Sequence, residues 1–185
     1  YDNFEHFYTP ENKERYVVAT NEDVAGTGSK YITIFDENFS IIDKNIGMTG
    51  NASGIDSHDF IYISDTHLIL LNSMNANVNI GGAGMKNIRG ATIQEIVKQN
   101  GEWKSVGWFA VTDYPQLCTD AFGEMGDAVD SHPNTIGLDY DGNLILNMRN
   151  WDTWIKIRRV DNGDGTYTLG SATKDYSEAV IGRVG

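Results

Sequence analysis

The chain has 185 residues, with 14 Lys and Arg against 26 Asp and Glu and a formal net charge of −12. Such a surface repels phosphate backbones and anionic headgroups, which excludes general nucleic-acid binding and polybasic membrane attachment. A hydrophobic fraction of 40% is too high for a disordered chain, and the longest aliphatic run, Leu68 to Leu71, is far too short for a membrane span. The single cysteine, Cys118, rules out an internal disulfide framework and any multi-cysteine zinc site. No cofactor is implied.

In chain order, residues 1–15 read as an N-terminal extension in which His6 packs among Phe4, Phe7 and Tyr8. Short runs rich in Tyr, Ile, Val and Thr then recur between polar turns. They are Tyr16 to Ala19, Tyr31 to Phe35, Phe60 to Ser64, His67 to Leu71, Thr92 to Val97, Thr135 to Leu138, Asn143 to Asn147 and Trp154 to Val160. They predict an all-β meander of antiparallel strands. Asp36-Glu37-Asn38, Asp141-Gly142-Asn143 and Gly163-Asp164-Gly165 supply turn residues that tolerate positive φ or bond their own backbone. His67 falls after Asp65-Thr66 and reads as a solvated turn residue. Met74 to Gly90 reads as a glycine-rich loop over one mouth of the fold, and without a Gly-Lys-Ser/Thr ending it offers no phosphate loop. The stretch Ala91 to Lys98 admits a helix, but its β-branched residues favour strand. Asp161 to Gly165 lacks the ligand spacing of a calcium loop and predicts a hairpin turn. Cys118 is expected to be buried and inert.

One internal similarity organises the chain. Ser57-His58 precedes a strand, a turn and Leu68-Ile69-Leu70, and Ser131-His132 precedes the same series ending in Leu144-Ile145-Leu146. Repeated strand-turn-strand units suggest radial or stacked repetition, of which the β-propeller is the commonest all-β form. Residues just ahead of equivalent inner strands then converge near an axis, which brings His58 and His132 together. The competing reading makes both histidines ordinary turn residues with polar partners.

The segments "SHDFIYISDTHLILL", "IQEIVKQNGEW", "DSHPNTIGLDYDGNLILNMRN", "IKIRR" and "IGRVG" resemble the bacterial arylsulfate sulfotransferase family. Three features carry the resemblance over roughly residues 55–185. One is His58-Asp59 before a strand. Another is the acidic-x-His-x-Asn-Thr-Ile segment from Asp130 to Ile136, leading into Asp141 to Asn143. The third is Arg149 at the end of the following strand. The resemblance implies a six-bladed β-propeller, of which this chain supplies about half, with a site in the central channel. It also implies sulfuryl transfer from a phenolic sulfate ester to a phenol through a sulfohistidine, without a nucleotide donor, in an extracytoplasmic protein. By motif, His58, His132 and Arg149 are the catalytic residues this chain supplies. The family's sulfuryl-accepting histidine lies further on, beyond the "IGRVG" segment.

The chemistry suits these residue types. A sulfate monoester spreads one negative charge over three oxygens, and its transfer builds charge on the leaving phenolic oxygen. Donors aimed at that charge each lower the barrier by a few kcal/mol. Arg149 has the planar fork that fits a sulfate, and a histidine titrates near neutrality. Asn134 is a candidate to donate to a sulfate oxygen, and Trp151 to line a pocket for an aromatic substrate. A chain that opens on Tyr1 implies processing or excision from something larger, so the expectations are a fragment, a half-ring that closes as a homodimer, or a degenerate module. The rival function is a non-catalytic propeller module binding a glycan, peptide or protein.

Overall fold

A computed structural model of the protein describes residues 3–20, 30–50, 55–125 and 130–185. Three four-stranded antiparallel sheets follow one another along the chain. The first runs β1 (Asn3–Tyr8), β2 (Glu14–Thr20), β3 (Tyr31–Phe35) and β4 (Ile41–Ile46). The second runs β5 (Phe60–Ser64), β6 (His67–Asn79), β7 (Met85–Gln99) and β8 (Glu102–Ala110). A helix, α1 (Pro115–Met125), leads to the third sheet. That sheet orders β9 (Pro133–Leu138), β10 (Leu144–Met148), β11 (Thr153–Ile157) and, on the outside, β14 (Val180–Val184). A separate hairpin, β12 (Arg159–Asp161) with β13 (Tyr167–Leu169), and the short α2 (Tyr176–Ala179) are inserted before β14.

The turns form where the sequence places them. Asp36 Oδ1 accepts the backbone N–H groups of Asn38 and Ser40, and Asp139 Oδ1 those of Asp141 and Asn143. Gly142 takes φ 81°, a conformation open to glycine without steric cost. Asp161 to Gly165 turns the β12–β13 hairpin, with Asp161 Oδ1 accepting from Gly163 N–H.

The middle sheet explains the aliphatic run at Leu68 to Leu71. Side chains alternate across a strand, so four consecutive apolar residues bury only when both faces are covered. All four are fully buried. Leu68 and Leu70 join Val17, Ala19, Ile32, Ile34 and Ile46 of the first sheet in one core. Ile69 and Leu71 join Leu144, Leu146, Met148, Ile155 and Ile157 of the third sheet in the other. The second sheet is therefore sandwiched between its neighbours.

The first strands of the three sheets adjoin. Phe7 on β1 stacks on Tyr62 of β5 with centroids 4.9 Å apart, and the backbone N–H of Ile136 on β9 donates to Asp59, just ahead of β5, at 2.9 Å. The chain segments that enter β5 and β9 are thereby brought together, with Asn3 at the start of β1 reaching the His58 carbonyl.

Several expectations are corrected. Residues 3–15 are no extension: they supply β1 and the start of β2, paired from Asn3↔Ala19 to Tyr8↔Glu14. Tyr1 and Asp2 lie outside the described residues. Met74 to Gly90 is no open loop, because β6 and β7 stay paired in register out to Asn79↔Met85. Val78, Ile80 and Ile88 bury into the core and hold that ribbon down. His67 opens β6 and its Nε2 lies 2.6 Å from Oε1 of fully buried Glu95, so it is a partnered interior group and not a solvated turn residue. Cys118 sits on α1, buried, where burial pushes its thiol up to about 12, consistent with an inert sulfur.

Candidate functional site

The two histidine segments are built alike. Asp56-Ser57-His58 precedes β5 and Asp130-Ser131-His132 precedes β9. In each, the aspartate Oδ1 caps the histidine backbone N–H, at 3.0 Å for His58 and 2.8 Å for His132. In each, the serine is buried. Each turn is also pinned to the middle sheet. Asp56 N–H donates to Leu71 O, Ser131 N–H donates to Arg89 O, and Ser131 Oγ accepts from Ala91 N–H. A repeated local sequence thus delivers two histidines to equivalent places ahead of adjoining strands.

They meet. The His58 and His132 rings lie with centroids 5.3 Å apart at an interplanar angle of 67°. His132 adopts φ 45°, a left-handed backbone that costs an L-residue roughly 1–2 kcal/mol. Two bonds hold it there: the Asp130 cap on its N–H, and Arg149 N–H donating to its carbonyl at 3.0 Å. The second bond places the backbone of Arg149 directly against the histidine.

The surroundings differ between the two rings. His58 has a side chain 45% exposed, and its Nδ1 lies 2.5 Å from Asp56 Oδ1. His132 Nε2 is buried and has no hydrogen-bond partner among the described residues, and Thr135 Oγ1, three residues on, is in the same condition. Buried polar atoms left unpaired cost about 1–3 kcal/mol each, and two of them fall within this short segment.

Arg149 is displaced from its predicted setting. It begins a 3₁₀ turn, Arg149–Trp151, after β10 and is exposed to solvent. Among the described residues its guanidinium makes no ion pair or hydrogen bond. The neighbouring acids are, by contrast, engaged. Asp56 holds His58, Asp130 faces Arg89 at 3.4 Å, and Asp59 accepts from the N–H groups of Phe60 and Ile136. An exposed cation without such a partner is able to meet an anion, which the overall charge conceals.

Asn134 lies half-buried on β9, two residues past His132. Trp151 does not line a pocket. Its side chain is 1% exposed and packs in the core with Leu144, Leu146, Met148 and Ile155, because the 3₁₀ turn rotates it under the third sheet. Among the described residues no group of three or more His, Cys, Asp or Glu side chains is placed to hold a metal ion.

Two residues missed in the sequence complete the surroundings. Asn3 on β1 donates to the His58 carbonyl at 3.5 Å, and Glu5 approaches Asp59. Burial, together with the proximity of Asp59, raises the pKa of Glu5, and burial raises that of Asp59. Both folded values therefore lie above those of the unfolded chain, and the folded state keeps protons that the unfolded chain has released. The stability this pairing contributes is complete below about pH 4 and is lost as the pH rises through the folded values. Unfolding midpoints in urea should accordingly fall more steeply with rising pH in this window for the wild type than for Glu5→Gln. Parallel pH slopes would contradict the pairing.

No protein-family description, curated protein or solved structure matches the chain.

Proposed function

We propose that this chain is part of an aryl-sulfate sulfotransferase built on a β-propeller, supplying about half the ring and the groups that cradle the sulfate. It moves a sulfuryl group from a phenolic sulfate ester to a phenol through a sulfohistidine, without nucleotide or cofactor, in an extracytoplasmic setting. The observation that carries the reading is the meeting of His58 and His132, remote in sequence, with centroids 5.3 Å apart beside the backbone of Arg149. Three adjoining first strands, two of them led by the matching turns of His58 and His132, suit a central site between blades. In this reading Arg149 and Asn134 hold the sulfate oxygens, and the histidines serve the leaving and attacking oxygens.

The alternative, a non-catalytic binding module, draws on the outer face of the first sheet. There Phe4, His6 and Phe39 each stack on Tyr16, and Tyr8 meets His6 edge-on, with Phe4, Tyr8 and Phe39 each more than half exposed. The two readings separate in one assay. Incubation with p-nitrophenyl sulfate and phenol releases nitrophenol and forms phenyl sulfate if the protein is a sulfotransferase. If the longest natural form of the chain binds the ester but never releases nitrophenol, it is a binding module.

A further inference from the structure

The turn that carries His132 lies between two arginines. On one side Arg149 N–H donates to the His132 carbonyl, and on the other the carbonyl of Arg89, on β7, accepts the Ser131 N–H at 2.9 Å. No sequence motif marks Arg89, which comes from the neighbouring sheet. One carboxylate locates its guanidinium. Nη1 lies 3.4 Å from Asp130 Oδ2, and the other oxygen of Asp130 accepts the His132 backbone N–H at 2.8 Å. A single carboxylate and two polar contacts therefore separate the Arg89 guanidinium from the backbone of the histidine whose ring meets His58.

The hold on Arg89 is weak. A charge-assisted N–H···O⁻ bond closes to about 2.7–2.9 Å, whereas Arg89 makes one longer contact with a side chain 53% exposed. Exposed pairs of this kind add little stability, and a guanidinium carries further donors in a planar fork. On the exposed face of the β6–β7 ribbon its neighbours are amides, Asn75 across the strand pair and Asn87 two residues back, and neither competes for it as an anion.

We propose that Arg89 is a specificity-determining residue that binds a second anionic group, a carboxylate on the ring of the aryl sulfate, while the sulfate lies at the histidine pair. The proposal rests on the sulfotransferase reading and narrows its substrates to aryl sulfates that carry an acid on the ring. A guanidinium fork takes a carboxylate through two parallel N–H···O bonds, a better fit than its single long contact to Asp130. The interval from Arg89 to the His132 turn is one that a benzene ring with substituents at opposite ends bridges. The net charge of −12 repels a dianion more than a monoanion, so tighter binding of the carboxylated ester requires a local cation.

The test titrates the 185-residue chain with phenyl sulfate and with 4-carboxyphenyl sulfate, read by calorimetry and by the imidazole resonances of His58 and His132. The expected result is about tenfold tighter binding of the carboxylated ester, with both rings shifting for both esters. Arg89→Ala should bring the ratio of the two affinities to one or below. Arg89→Lys keeps the charge without the fork and should retain part of the preference. A ratio near one in the wild type, or a tenfold ratio that survives Arg89→Ala, overturns the second contact and leaves the sulfotransferase reading standing. If neither ester binds, both are removed.

Discussion

Replacing Glu95 by alanine is expected to cost about 3–5 kcal/mol of stability, the loss typical of a buried ion pair stripped of one partner. Its carboxylate is fully buried in the middle of β7 and binds the Arg159 guanidinium and the His67 ring, from different parts of the chain. Oε1 accepts from Arg159 Nη2 at 2.5 Å and lies 2.6 Å from His67 Nε2, and Oε2 accepts from Arg159 Nε at 2.9 Å. Arg159 is further covered by Tyr167, whose ring centroid lies 4.2 Å from the guanidinium carbon. Alanine leaves that largely buried guanidinium without its anion, which is where the cost arises. Glu95→Gln keeps the shape and part of the hydrogen bonding and should cost less. Urea unfolding reads the effect as a midpoint lowered by about 2 M for Glu95→Ala. A loss under about 1 kcal/mol would show that Glu95 does not clamp the second sheet to the β12–β13 hairpin.

The second large effect is on chemistry. Removing the His132 side chain is expected to lower sulfuryl transfer from p-nitrophenyl sulfate to phenol by about 10²–10³, the usual loss when one donor to a developing oxyanion is deleted. The backbone at His132 is left-handed, so alanine adds strain there, whereas asparagine tolerates that conformation. His132→Asn therefore separates loss of the imidazole from damage to the turn. Arg149→Ala should produce a comparable fall with little change in stability, because its side chain is exposed and its structural bond runs through the backbone N–H. Activity of His132→Asn equal to that of the wild type would remove the histidine pair from the mechanism.

Much of this architecture can be read in the sequence, for reasons that can be located. Seven of the eight strands predicted from alternating and β-branched runs form as single strands, whereas Trp154 to Val160 breaks at Arg158 into β11 of the third sheet and β12 of the hairpin. The Ser-His repeat correctly brings two distant histidines together, since it marks the same capped turn ahead of two equivalent strands. What the sequence conceals is the use made of polar residues within apolar runs. Glu95 stands in Ile93 to Val97, where a buried carboxylate demands a cation, but nothing local identifies Arg159 or His67 as the donors. Asp56 occupies the same place as Asp130 in the repeat, yet only the folded chain shows that it reaches its own histidine ring. The Met74 to Gly90 ribbon is hidden by its Asn and Gly content, because its few buried residues, Val78, Ile80 and Ile88, are spaced too widely to announce a strand. Trp151, expected to line a pocket because it follows Arg149, instead ends a 3₁₀ turn and is buried in the core.

If one aryl sulfate sits between His58 and His132, their imidazole resonances will report it during titration with p-nitrophenyl sulfate, without any need for turnover. The signals of both rings are expected to shift together along one saturating curve. Those of His6, on the outer face of the first sheet, and of His67, held by Glu95, should stay in place. Shifts at neither ring, or at His6 or His67 instead, would contradict a sulfate site between the two histidines.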